Sequence, residues 1–289
     1  MRSKTLRRAL EAGGVLILLA LLGLFLTGPL SGFSSATRLF LGEVVLLVAS
    51  LLLGIARPKK LQKDLWGWVI LFAGATYPLI LLCQGLFLRL LGQVYPLGMA
   101  TSALRQGGGS LFVELLLYAI LPAVCEECFF RGVLLARWEK LGRGLAIFMS
   151  SLAFSLFHFD LLSFVPPLCL GLLLGGLYCW RKSLGAVMVV HALHNALGIF
   201  FSRGLSAQRI LELQKTAFIG WTGKVDNLIL VVLGLVSIFA ILGTVGAVKK
   251  LKREERVHLT FSQEQIFLAY APLIGLVLIY ALRLALKAS

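Results

Sequence analysis

Six consecutive residues, Glu126-Glu127-Cys128-Phe129-Phe130-Arg131, put two adjacent carboxylates and a guanidinium between apolar runs at 111–121 and 132–136. A charge at the centre of a bilayer costs at least ~2.5–3.5 kcal/mol on insertion scales, so such residues need partners and usually have a task. On a helix, Glu127 and Arg131 stand at i and i+4, in the acid-before-base order that favours pairing. Glu126 lies about 100° around the helix from Glu127, off the face that Arg131 shares with it. The two carboxylates therefore meet different environments. Splitting a carboxylate pair in this way makes one member a usable base near neutral pH. Glu126 is the candidate base, and Glu127 with Arg131 is the structural pair that sets its basicity.

Two further stretches carry polar groups in apolar surroundings. Phe154-Ser155-Leu156-Phe157-His158 places Phe154 and His158 on one helix face, and His191-Ala192-Leu193-His194-Asn195 does the same for His191 and Asn195. A lone histidine in an apolar helix is ordinarily a hydrogen-bonded packing residue. Three of the chain's four histidines, with an Asn and the Glu-Glu-Arg cluster between 126 and 195, read instead as one polar constellation. His194 points elsewhere on its helix, and its role is open. Cys125 and Cys128 form a C-x-x-C around the glutamates; a redox or metal role is open to them, and small apolar filling of a helix face is the simpler reading. All five cysteines fall in apolar spans, so a disulfide framework is not expected.

The elements that must position these groups are membrane helices. The chain has 289 residues, 59% hydrophobic and only 14% charged, too apolar for a soluble domain of its size. Nine stretches approach the ~20 residues that a bilayer needs: 13–30, 39–56, 65–88, 111–136, 144–159, 164–180, 184–201, 227–248 and 265–286. The fifth and sixth are short enough to be re-entrant. The first follows Arg2, Lys4, Arg7 and Arg8, as a signal peptide would, but shows no clear small-residue cleavage site and reads as a retained helix.

The net charge of +15 would suggest nucleic acid in a soluble protein. Here most Lys and Arg cluster at the N-terminus and at 57–63, 137–143, 181–182 and 249–256, on alternate connections. That marks one side as cytoplasmic, with the N-terminus on it. Nucleic acid is therefore not an expected partner. Trp66, Trp68, Trp138 and Trp180 adjoin the basic clusters, as an interfacial belt would. Pro78 and Pro122 interrupt helical spans, and a kink at Pro122 would help open a polar cavity beside Glu126. No internal repeat and no extramembrane domain is evident. The expected fold is an all-α polytopic bundle of about eight to nine spans, divided into N-terminal helices at 1–110, a core at 111–201, and a loop with C-terminal helices at 202–289.

One tension concerns depth. Counted at ~1.5 Å per residue from the nearest basic residue, Glu126 lies roughly 16 Å from Arg137. His158 lies roughly 22 Å from Arg143, and His191 roughly 13 Å from Lys182. That spread is too wide for one site unless a helix tilts or the 137–146 connection dips inward.

Glu126-Glu127-x-x-x-Arg131, Phe154-x-x-x-His158 and His191-x-x-x-Asn195, in that order on successive spans, resemble the CPBP intramembrane proteases. That family includes the type II CAAX prenyl endopeptidases and proteins linked to bacteriocin processing and self-immunity. The matching core is about 111–201, and the flanks match by hydropathy alone. The resemblance implies hydrolysis of peptide bonds in membrane-associated or lipidated substrates. Glu126, helped by His158, would deprotonate a water. His191 and Asn195 would donate to the oxyanion, and Glu127 and Arg131 would be structural. No cofactor is required. The alternative is a Zn²⁺ held by Glu126, His158 and His191, since a catalytic zinc takes three N/O ligands plus water. The partners expected are the lipid bilayer and a peptide or lipidated protein, and the location an integral membrane, the inner membrane if the chain is bacterial. A non-proteolytic scaffold or immunity protein of the same fold is the first rival. A proton-coupled transporter is the second, and the absence of an inverted repeat counts against it.

Overall fold

The computed structural model describes residues 2–25, 29–30, 32–56, 59–60, 62–91, 109–204 and 261–288. The expected span 227–248, the basic cluster 249–256 and most of the 202–226 connection lie outside these residues. The described residues are all-helical, with no strand among them. The main helices are α1 (Arg2–Phe25), α2 (Ser35–Leu53), α3 (Trp66–Leu91), α4 (Leu111–Leu115), α5 (Leu121–Phe129), α6 (Ala136–Trp138), α7 (Arg143–Phe157), α8 (Val165–Arg181), α9 (Leu184–Gly204) and α10 (Gln263–Ala288). Four stretches, Ser35–Leu53, Trp66–Phe87, Leu184–Arg203 and Gln263–Arg283, are long and apolar enough to cross a membrane. The chain is an integral membrane protein.

The chain divides into two compact units. One comprises Met1–Leu61, Leu121–Met188 and Arg253–Ser289; the other comprises Gln62–Ile120 and Val189–Lys252. In the first unit, α1 and α10 pack side by side and run parallel. A Cβ on Gly13 would meet Pro272, and one turn on, a Cβ on Gly275 would meet Ile17. Trp138 is fully buried here; its indole N–H donates to the Ala9 carbonyl at 3.3 Å and its ring meets Tyr270 edge-on. It is a packing residue of the unit's interior rather than part of the interfacial belt the sequence suggests.

Helical backbone continues through α5, a π-helical turn at Phe130–Leu135, α6 and a 3-10 turn at Glu139–Leu141. Gly142 then reverses the chain into α7 with φ +153°, a conformation that favours glycine. Glu139 secures the reversal. Its carboxylate accepts from Arg143 Nε at 3.0 Å and pairs with Lys182 at the end of α8. Nearby, the Ala56 N–H donates to the Gly132 carbonyl at 2.8 Å and the Lys59 N–H to the Lys182 carbonyl at 2.7 Å, which lays the chain after α2 along this end.

This reversal bears on the relative depth of two of the candidate residues. Arg137 does not mark the end of its helix; its guanidinium donates to the Leu53 carbonyl and helical backbone runs on to Leu141. The common reference is Gly142. Glu126 lies sixteen residues before it and His158 sixteen after it, on the two arms of one hairpin. Arms of equal residue count narrow the difference in depth between Glu126 and His158, and both residues line one cavity.

The α7–α8 hairpin has arms of 15 and 17 residues, roughly 22 and 26 Å at 1.5 Å per residue, short of a ~30 Å hydrocarbon core. Its arms touch at backbone distance. A Cβ on Gly171 would stand 2.9 Å from Ser151 Cβ, and one on Gly175 would stand 3.0 Å from Ile147 Cγ2. Gly171-x-x-x-Gly175 is thus a small-residue stripe that lets two membrane helices approach. Gly171→Ala should lower the melting temperature of the detergent-purified protein by several degrees, since overpacking costs ~1–3 kcal/mol. Gly176→Ala, where a Cβ meets nothing within 4 Å, should not. Equal melting temperatures would refute the tight contact.

Candidate active site

The Glu-Glu-Arg segment resolves into two environments on α5. Glu127 is fully buried and accepts from Arg131 Nη1 at 2.7 Å. The guanidinium also donates from Nη2 to the Gly171 carbonyl at 3.2 Å, and its Cζ lies 4.6 Å from the centre of the Phe154 ring. One arginine therefore ties the α5 segment to both arms of the α7–α8 hairpin. The close approach at Gly171 is what puts a backbone carbonyl within its reach.

Glu126 faces another way, into a cavity of about 770 Å³ that His158 also lines. His158 caps the C-terminal end of α7. Its Nδ1 lies 2.8 Å from the Phe154 carbonyl, and its ring packs edge-on against Phe154 at 4.9 Å. A carbonyl only accepts, so Nδ1 carries the proton, and in the neutral ring Nε2 keeps its lone pair. Phe154 thus stands between Arg131 and His158 and touches both.

The residue after His158 anchors the chain to another helix. Phe159 has φ +52°, an uncommon left-handed backbone for a bulky side chain, which costs on the order of 1–3 kcal/mol. Its ring stacks on Tyr280 of α10 (6.1 Å, 21°), with Arg283 Cζ 4.7 Å from its centre. Ser155 anchors the same connection by donating to the Phe164 carbonyl.

Three more ionisable residues line the cavity that sequence reasoning did not single out: Arg38 and Glu43 on α2 and Arg283 on α10. Glu43 is buried and is the only carboxylate in the apolar helix Ser35–Leu53. The cost argument that drew attention to 126–131 applies to it equally, so it was within reach of sequence reasoning.

His191, His194 and Asn195 belong to the second unit, all on α9. His191 is buried and Asn195 partly so. His194 is held at both ring nitrogens, Nδ1 against the Val190 carbonyl at 2.9 Å and Nε2 against Thr76 Oγ1 at 3.2 Å. Beside it stands Tyr77, with ring centroids 5.7 Å apart. His194 therefore joins α9 to α3. At the far end of α9, Arg203 pairs with Glu114 of α4 at 2.8 Å. As for a metal, the described residues contain no group of three or more His, Cys, Asp or Glu side chains arranged to hold one.

The buried pair sets a stability test. Arg131→Ala leaves Glu127 buried without its counter-ion, which typically costs ~3–5 kcal/mol. The loss should appear as a lower melting temperature and yield. Glu127→Gln combined with Arg131→Gln removes both charges and should recover much of the stability. A double variant less stable than Arg131→Ala would overturn the pairing argument.

Residues 108–197 match the family model for type II CAAX prenyl endopeptidase Rce1-like proteins. Neither a curated protein nor a solved structure matches the chain. The matched segment, just under a third of the chain, contains Glu126, Glu127, Arg131, His158, His191 and Asn195, and over these residues the chain is similar to that family.

Proposed function

We propose that this protein is an intramembrane endopeptidase that hydrolyses peptide bonds of membrane-associated or lipidated substrates through a water activated by Glu126. The observation that carries the reading is that Glu126 and His158, from different helices, line one cavity. In this scheme Glu126 removes a proton from the water, with His158 Nε2 orienting it. The hydroxide adds to the peptide carbonyl. His191 and Asn195, one turn apart on α9, donate to the developing oxyanion, a contribution typically worth ~10²–10³ in rate per donor. This role rests on the motif match. The proton held by Glu126 then passes to the leaving amine as the C–N bond breaks. Glu127 and Arg131 touch no substrate. They fix α5 so that Glu126 keeps its aim. No metal enters the scheme.

In this reading residues 111–201 are the catalytic core, flanked by the helices of 1–110 and 202–289. About eight to nine spans cross the membrane, the inner membrane in a bacterial cell, with the N-terminus in the cytoplasm.

Glu126→Gln and His158→Ala should each abolish cleavage of a reporter substrate in reconstituted vesicles, with melting temperatures close to wild type. Cleavage at the wild-type rate in either variant would sink the assignment. Orientation has its own test. Single cysteines introduced at 59–63 and 249–256 should react with an impermeant thiol reagent only from the cytoplasm, and those at 31–37 only from outside. The opposite pattern would invert the topology.

A further inference from the structure

The cavity that holds Glu126 and His158 has a direction. Besides these two, its lining comes from the end of α1 (Leu19, Leu22, Gly23), Leu30 in the following connection, the first half of α2, the end of α7, and Arg283. These pieces share one end of the first unit. Parallel packing puts the C-terminal end of α10 beside that of α1, and α2 starts where α1 has ended. The opposite end carries the Gly142 reversal with Arg137, Lys140, Arg143, Lys182 and the basic start of α1. By the positive-inside rule that opposite end is cytoplasmic. The cavity thus runs from Glu126 towards the extracytoplasmic side.

Its charges are arranged in depth. Arg38 is the fourth residue of α2 and is exposed; Glu43 follows five residues later, about 7.5 Å deeper at 1.5 Å per residue, and is buried. Arg283 lies five residues from the end of α10, beside the Phe159 ring that follows His158. Its guanidinium forms no ion pair with any described residue. Along α2 the exposed Arg38 therefore precedes the buried Glu43, and Arg283 reaches the same cavity from α10. The arginine fork suits a carboxylate, which it can hold through two parallel hydrogen bonds.

We propose that the substrate peptide enters this cavity from the extracytoplasmic side and that Arg38 and Arg283 hold a carboxylate of it at the mouth, positioning the scissile bond over Glu126. The proposal deepens the proteolytic reading and rests on it. The carboxylate has two possible sources, the free C-terminus of the peptide or an Asp or Glu side chain. Either arginine lies outside the segment that matches the family model, so the specificity it confers belongs to the flanking helices.

The test uses the full-length protein in nanodiscs of zwitterionic lipid and one fluorescent apolar decapeptide in three forms: C-terminal acid, C-terminal amide, and amide with a single internal Glu. Binding is read by anisotropy on the Glu126→Gln protein, and cleavage in parallel on the wild type. At least one carboxylate form should bind tenfold or more tighter than the plain amide, and the tighter form identifies the source. Arg38→Gln and Arg283→Gln should each reduce that preference, and together bring the three peptides within twofold, whereas Lys at either position should keep most of it. If Arg283→Gln fails to fold, as loss of its contact with Phe159 could cause, Arg38→Gln carries the comparison. Equal binding of all three peptides, or a preference that survives both substitutions, overturns the proposal. A carboxylate preference without any cleavage by the wild type sustains the binding site and sinks the protease. Cleavage without the preference does the reverse. The side of entry is read separately, with Arg38→Cys and the unsubstituted protein as background. Labelling by an impermeant thiol reagent in intact cells supports extracytoplasmic entry, and labelling only in inverted vesicles overturns it.

Discussion

The ion pair between Glu127 and Arg131 is the constraint on which the rest of the first unit depends. Both side chains are within 1% of complete burial. Two charges in that position gain little net stability from each other, because each has lost its hydration, but either alone would be prohibitive. The pair therefore acts less as glue than as a demand on its surroundings. The α7–α8 hairpin has to bring Phe154 to one face of the guanidinium and the Gly171 carbonyl to its edge. Gly171 must be small for that carbonyl to come close, since its Cα faces Ser151 at backbone distance. A requirement of electrostatics is met by a requirement of packing.

The same arrangement fixes the chemistry one residue away. Glu126 and Glu127 are neighbours in sequence and opposites in setting, one turned to the cavity and one into the interior. Phe154 transmits the placement of Arg131 to His158, because one ring contacts both. On the far side, Phe159 accepts an unfavourable backbone conformation to set its ring against Tyr280 and Arg283. Strain of this kind persists only where surrounding contacts over-determine it. His158 thus packs on Phe154, and the residue that follows it is anchored to α10. The tie from His158 Nδ1 to the Phe154 carbonyl limits rotation of the ring.

The second unit has its own logic. On α9, His194 makes the helix-joining contacts that histidines in apolar helices commonly make, to Thr76 and to the backbone of Val190. The nearby His191 and Asn195 are the ones that the family motif selects. Of the two histidines on α9, His194 is the one that joins the helix to α3, and His191 is the one that the motif selects.

The sequence by itself determined the helical, membrane-embedded character of the chain and the identity of the motif residues. It also determined the Glu127–Arg131 pairing, because each of these follows from local properties. Apolar run length is set by bilayer thickness, and an i, i+4 relation is a property of one helix alone. Expected spans at 65–88, 184–201 and 265–286 lie within a few residues of helices Trp66–Leu91, Leu184–Gly204 and Gln263–Ala288 for the same reason. What only the tertiary structure decided is everything that needs two helices. The level of Glu126 against His158 depends on where the chain reverses, and Gly142 was not distinguishable among thirty glycines by composition. Burial of Trp138 depends on α1 and α10 packing beside it. Arg38 and Arg283 join the cavity because α2 and α10 end or begin at its mouth, although more than 240 residues separate them in the chain. Periodicity tells which face of a helix a residue occupies; which neighbour that face meets is set by packing, and packing is not written in any one segment.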